Sequence, residues 1–136
     1  MLILVDTTVW IDFFVGRSAS HVKILEHIIE SKEDICICGI ILTEVLQGIK
    51  EENEYKKTRD IFTSLLFLPM SYDIFLRASE IYRGLRQKGI TIRKSMDCVI
   101  ASVAIELDIH LLHNDKDFGP IESHFGLKVL NNIKYQ

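Results

Sequence analysis

The chain has 136 residues, 48% of them hydrophobic and 26% charged, with a net charge of −3 and a pI near 5.9. That length buries a core in one domain without disulfides or structural metal, and the acid excess excludes a protein that holds nucleic acid by bulk electrostatics alone. Three cysteines are too few for a disulfide framework, no signal peptide opens the chain, and the longest apolar run, Ile35 to Leu42, is far shorter than the roughly 20 residues of a membrane helix, so a single cytoplasmic domain over residues 1–136 is expected, away from any membrane.

Leu2 to Val5 are four apolar residues of strand type that run straight into Asp6-Thr7-Thr8, so a buried strand ends at a carboxylate. Asp6 is then either a site residue beyond a strand end or the N-cap of a short helix over Val9 to Phe14. Gly16-Arg17-Ser18 reads as a turn, and Ser20 caps a helix through about Ser31 that turns Val22, Ile24, Leu25, Ile28 and Ile29 inward. Asp34 to Cys38 is a second strand, apolar at successive positions as in a strand covered on both faces. Gly39 marks the break before a helix over Ile41 to Ile49, and Gly48 with Glu51-Glu52-Asn53-Glu54 interrupts the chain before another from about Tyr55 to Leu66.

Phe67 to Met70 is a short strand whose Pro69 points to a sheet edge. Tyr72 to Lys88 repeats at helical spacing through Ile74, Phe75, Ala78, Ile81, Tyr82 and Leu85, with Gly89 as its C-cap. Ile90 to Lys94 is a loop, and Ser95 opens a helix with Met96, Val99, Ile100, Val103, Ala104 and Leu107 on its buried face. His110 to His113 is a strand, Asn114 to Asp117 a polar loop, and Lys128 to Leu130 a last strand. Strands alternating with helices predict an α/β domain: a parallel sheet with helices on both faces.

Several carboxylates sit where this pattern would put none. Glu44 lies in an almost wholly apolar stretch, Asp97 in the first turn of the Ser95 helix, and Asp115 and Asp117 follow a strand just as Asp6 does. Each has a local alternative: Asp97 as an acid at a helix N-terminus, Asp115 and Asp117 as turn residues, Glu44 on a solvated stripe with Thr43 and Gln47. Jointly they crowd one end of a parallel sheet. Two unit negative charges about 4 Å apart repel by roughly 4 kcal/mol at an effective dielectric near 20, and a cation removes that penalty. Oxygen ligands without paired Cys or His suit Mg²⁺ or Mn²⁺.

Cys36, Cys38 and Cys98 are read as core residues, and His110 and His113 as hydrogen-bonded structural ones. Arg83, Arg86, Lys88, Arg93 and Lys94 concentrate positive charge in the stretch that ends before Asp97, either as a solvated face or as a seat for a nucleic-acid backbone, with Arg83, Arg86, Arg93 and Lys94 as the candidate RNA contacts.

Val5-Asp6-Thr7-Thr8-Val9-Trp10-Ile11, Thr43-Glu44-Val45-Leu46-Gln47-Gly48, Asp97-Cys98-Val99-Ile100-Ala101-Ser102 and Leu112-His113-Asn114-Asp115-Lys116-Asp117-Phe118 resemble, in order and spacing, the motifs of PIN-domain ribonucleases and, among them, the VapC-type toxins. The resemblance spans essentially the whole chain. It implies a three-layer α/β/α sandwich around a parallel sheet of about five strands, with an acidic pocket for Mg²⁺ or Mn²⁺. Asp6, Glu44, Asp97 and Asp115 match the family's four acidic positions, Asp117 its frequent additional acid, and Thr8 the hydroxyl that supports the first acid. His113 stands where many members have Thr, which puts a hydroxyl contact from that position in doubt. The resemblance also implies action on structured or transfer RNA, a homodimer, and silencing by a cognate antitoxin protein.

On this reading Asp6, Asp97 and Asp115 hold one or two cations, Glu44 binds metal or orients the attacking water, and Asp117 supports them. Cleavage by metal-activated water leaves a 5′-phosphate and needs no histidine or lysine base. Two rivals stand beside it. A phosphatase of doubly wound fold wants a second Asp two residues after the first, where this chain has Thr8. A non-catalytic binding module would use the pocket only to dock a partner.

Overall fold

The computed structural model describes residues 1–130. Its sheet has strands β1 (Leu2–Val5), β2 (Asp34–Cys38), β3 (Leu66–Leu68) and β4 (His110–Leu112), all parallel, in the order β3-β2-β1-β4. Helices α1 (Thr7–Phe14) and α2 (Ser20–Glu30) link β1 to β2, and α3 (Gly39–Gln47) and α4 (Glu52–Thr63) link β2 to β3. Helices α5 (Tyr72–Gln87) and α6 (Ser95–Glu106) then cross back to β4, which α7 (Phe118–Phe125) follows. The first two crossovers step one way along the sheet and the third steps the other way. Right-handed connections therefore put α1 to α4 on one face and α5 and α6 on the opposite face, giving the three layers. The reversal lies between β1 and β4, where a crevice opens beyond the strand ends.

β1 is central, and Ile3, Leu4 and Val5 are fully buried because both faces of that strand are covered. β3 is an edge, as Pro69 predicts, although the strand ends at Leu68 and leaves Leu66 and Phe67 half exposed. The expected fifth strand is reduced to one bridge: Val129 pairs in parallel with Leu111, through hydrogen bonds from the Leu111 N–H to Lys128 and from the Leu130 N–H to Leu111. The four-stranded sheet thus comes close to the expected five.

Several boundaries moved, each for a local reason. Glu51 is an N-cap whose carboxylate accepts from the Asn53 and Glu54 N–H groups, so the acidic run begins α4 where an interruption was expected. Ser20 is the first residue of α2, with Ala19 at the cap position. Gly39 starts α3 and does not break the chain before it. Helix α7 occupies a stretch to which the sequence pattern assigns no element; Pro120 is tolerated in its first turn, where the missing N–H has no intrahelical partner. Ile29, Phe75, Met96 and Leu107, expected inside, are more than a third exposed. Gly89, with φ +79°, ends α5 as anticipated. No helix among the described residues is long and apolar enough to cross a membrane.

One buried acid serves the scaffold. Asp12 on α1 meets His21 Nε2 on α2 at 2.7 Å, and Arg17 Nε lies 3.4 Å from its other oxygen. Removing one partner of such a buried pair strands the other. Asp12→Ala should therefore lower the unfolding free energy by about 2–3 kcal/mol in urea denaturation; a loss below about 0.5 kcal/mol would show that the pair does not hold α1 to α2.

Candidate active site

The chain delivers acids to the β1/β4 crevice from four directions. Asp6 is the first residue beyond β1, and its N–H donates to Leu112 O on β4 at 2.9 Å, so strand pairing fixes its place. Its backbone carbonyl accepts from Val9 and Trp10 as α1 begins, while its side chain makes no capping bond to that helix. The capping alternative thus applies to its backbone alone. Asp97 occupies the first turn of α6, a helix buried continuously from Asp97 to Ala104, and is only 7% exposed. One of its carboxylate oxygens, Oδ2, is buried with no hydrogen-bond partner.

Asp115 and Asp117 follow β4 in a loop braced by its own atoms. The Asp115 N–H donates to His113 Nδ1 at 3.1 Å, and the Asp117 N–H donates to Asp115 Oδ1 at 2.9 Å. The His113 ring packs 4.7 Å from that of Phe118, the buried first residue of α7. His113 therefore has a structural task, replacing any hydroxyl contact there. Carboxylate oxygens of Asp97, Asp115 and Asp117 lie within 4.8 Å of one another. This trio contains Asp117 where Asp6 was expected. Asp6 stands beside it, close enough for its charge to act on Asp97.

Glu44, half-buried on α3, is joined to the crevice by a residue that sequence reasoning passed over. Thr7 Oγ1 donates to Glu44 Oε1 at 2.7 Å, whereas Thr8, the expected supporter, reaches Asp6 Oδ2 at a longer 3.3 Å. Adjacent hydroxyls at a strand-to-helix junction turn to different neighbours. Only the fold brings Glu44 within reach of Thr7, 37 positions away.

The electrostatics record the crowding. Burial pushes the Asp97 carboxyl up to about 7, with the charges of Asp6 and Asp115 adding to the rise and Lys94 opposing it. Burial likewise lifts Asp6 to about 6, against hydrogen bonds from the Thr7 N–H and the Thr8 hydroxyl and with help from the Glu44 and Asp115 charges. Of the basic candidates, Lys94 stands at the N-cap position of α6, and Arg93 Nε lies 3.0 Å from Asp117 Oδ2. Arg83 and Arg86 are exposed on α5, with Arg86 over the Tyr82 ring. Cys36, Cys38 and Cys98 are free and buried.

The donor set fits a hard divalent cation. It is all oxygen, it converges, and it contains a buried carboxylate oxygen that no protein group satisfies.

Comparison with known proteins places this geometry in context. Residues 3–122 match the PIN domain family. Ribonuclease VapC11 of Mycobacterium tuberculosis is 32% identical over 122 residues, which cover 88% of this chain and 91% of that protein. Ribonuclease VapC1 of Methanocaldococcus jannaschii is 30% identical over 128 residues, covering 93% and 85%. The structure of VapBC2 from Rickettsia felis, bound to a DNA fragment from its promoter, superposes with a TM-score of 0.75 at 25% identity over 96% of this chain and 98% of that one.

A carboxyl raised from 3.8 to about 7 stabilises the fold below pH 4 and loses that contribution as pH rises through 7. Asp97→Asn, which never ionises, should therefore be more stable than the metal-free wild type by roughly 2–4 kcal/mol at pH 8, and the gap should close by pH 4. Denaturation curves that differ equally at both pH values would contradict a strained Asp97 charge.

Proposed function

The chain belongs to the PIN-domain family and, within it, to the VapC-type ribonucleases, and from that premise we propose that it is the endoribonuclease toxin of a toxin–antitoxin pair, cutting structured RNA such as transfer RNA with the aid of Mg²⁺ or Mn²⁺. The observation that carries the reading is the convergence of Asp97, Asp115 and Asp117 beside Asp6, with one buried Asp97 oxygen left unsatisfied.

Asp6, Asp97 and Asp115 would hold the cation or cations, and Asp117, whose carboxylate converges with those of Asp97 and Asp115, would support them as a further oxygen ligand. When bound, a divalent ion supplies Lewis acidity, lowering the pKa of a coordinated water and offsetting charge on the phosphate. The protein's own groups do the rest. Glu44, held by Thr7, orients the attacking water and accepts its proton. Thr8 steadies Asp6. Arg93 and Lys94 face the RNA backbone at the rim, and Arg83 and Arg86 extend that basic surface along α5. Such a local cationic rim meets phosphates despite the net charge of −3.

Two protein partners complete the reading. The exposed Phe75 and Met96, which line one shallow groove with Ile40 and Met70, support a homodimer, since apolar side chains grouped at one surface favour association. The cognate antitoxin is the second partner, and an open cleft of about 680 Å³ lined by Trp10, Phe13, Ile35 and Ile61 together with Glu33 and Asp34 offers an apolar seat with acidic groups for one of its segments. The cytoplasm, where transfer RNA is found, is the compartment in which free, buried cysteines persist.

Asp6→Asn and Asp97→Asn should each abolish RNA cleavage in Mn²⁺ while the protein stays folded, read by sequencing RNA 5′ ends after brief expression; an Asn variant as active as the wild type would sink these roles. Thr7→Val should lower kcat by about tenfold with little change in KM, because it frees the Glu44 carboxylate to turn. An unchanged kcat would remove Thr7 from the machinery.

A further inference from the structure

Arg93 is the cation that the described structure sets directly against the acid cluster. Its Nε lies 3.0 Å from Asp117 Oδ2, and its Nη2 lies 3.9 Å from Asp115 Oδ1, so the guanidinium edge spans two of the three converging carboxylates. The two partners are largely buried, their side chains 14% exposed each, while that of Arg93 is 66% exposed. The backbone beneath it is anchored, because Ile92 is buried on one side and Lys94 begins the approach to α6 on the other. A side chain so mounted can leave the acids without disturbing the fold.

We propose that Arg93 is a phosphate-binding residue parked on Asp115 and Asp117 in the metal-free protein, and that a divalent ion competes with its guanidinium for those carboxylates. The inference rests on the reading that these acids hold such an ion. Two positive groups sharing the same carboxylates repel each other, so the arrival of one weakens the hold on the other. A guanidinium released at the rim keeps its charge and its planar set of N–H donors, which match the oxygens of a phosphodiester. Exchange of partners would thus couple metal loading to RNA capture: the acids change their cation as the arginine changes its anion.

The test is a Mn²⁺ titration followed by electron paramagnetic resonance, in which free Mn²⁺ is read without RNA or turnover. Arg93→Ala and Arg93→Gln should bind Mn²⁺ about three- to fivefold more tightly than the wild type, the scale of one exposed ion pair. Lys56→Ala, which removes an exposed positive charge from α4, should leave the affinity within about twofold and so controls for net charge. In RNA cleavage the two Arg93 variants should raise KM by about tenfold while kcat stays within about threefold. Equal or weaker Mn²⁺ binding by the variants would overturn the competition, and an unchanged KM would overturn the phosphate role. Failure of both wild type and variants to take up Mn²⁺ would remove the metal reading and this inference together, whereas equal, measurable uptake would remove this inference alone.

Discussion

The structure turns on negative charge held where water is scarce. Asp97 is fixed by a buried helix and Asp6 by a central strand, and neither can withdraw into solvent without undoing the pairing and packing that place it. Their raised proton affinities are the signature of that confinement. The contrast with Asp12 is informative. That acid is equally buried, yet His21 and Arg17 answer it, and it fastens two helices together. Burial alone does not set Asp6 and Asp97 apart from Asp12; burial with no ion-pair partner among the described residues does.

Topology explains why the acids meet. Parallel strands joined by right-handed crossovers send every strand's carboxyl end to the same side, and the reversal of direction between β1 and β4 parts the helices there. Asp6 and Asp115 arrive as the residues following neighbouring strands, Asp97 as the first turn of a helix entering the same end, and Glu44 on the helix that follows β2. The reach of Thr7 to Glu44 ties the last of these to the first, so α1 and α3 set the distance between Glu44 and the other acids.

Much of this was legible in the chain itself. The alternation of apolar runs with helical periods gave the layers, and acids following Val5 and Leu112 pointed to strand ends. The misses have identifiable physical causes. Helix α7 has eight residues and buries only Phe118 and Ile121, too few apolar positions to show a helical period. Among the described residues the last strand is the single bridge of Val129 to Leu111, too short a pairing for an apolar run of three residues to foretell. Phe75 and Met96 obey the helical period and still lie exposed, since periodicity names a face without naming what covers it. Sequence reasoning passes over Thr7 and does not give Arg93, a candidate from the sequence, Asp117 as its partner; both contacts come from tertiary proximity, which no local pattern encodes.

The central claim is that these acids are gathered to hold a divalent ion. Crystals soaked in Mn²⁺ and measured at a wavelength where manganese scatters anomalously test it most directly. The account predicts an anomalous peak within direct coordination distance of Asp97 and Asp115. A clean map at that crevice, with Mn²⁺ bound elsewhere or nowhere, would contradict it.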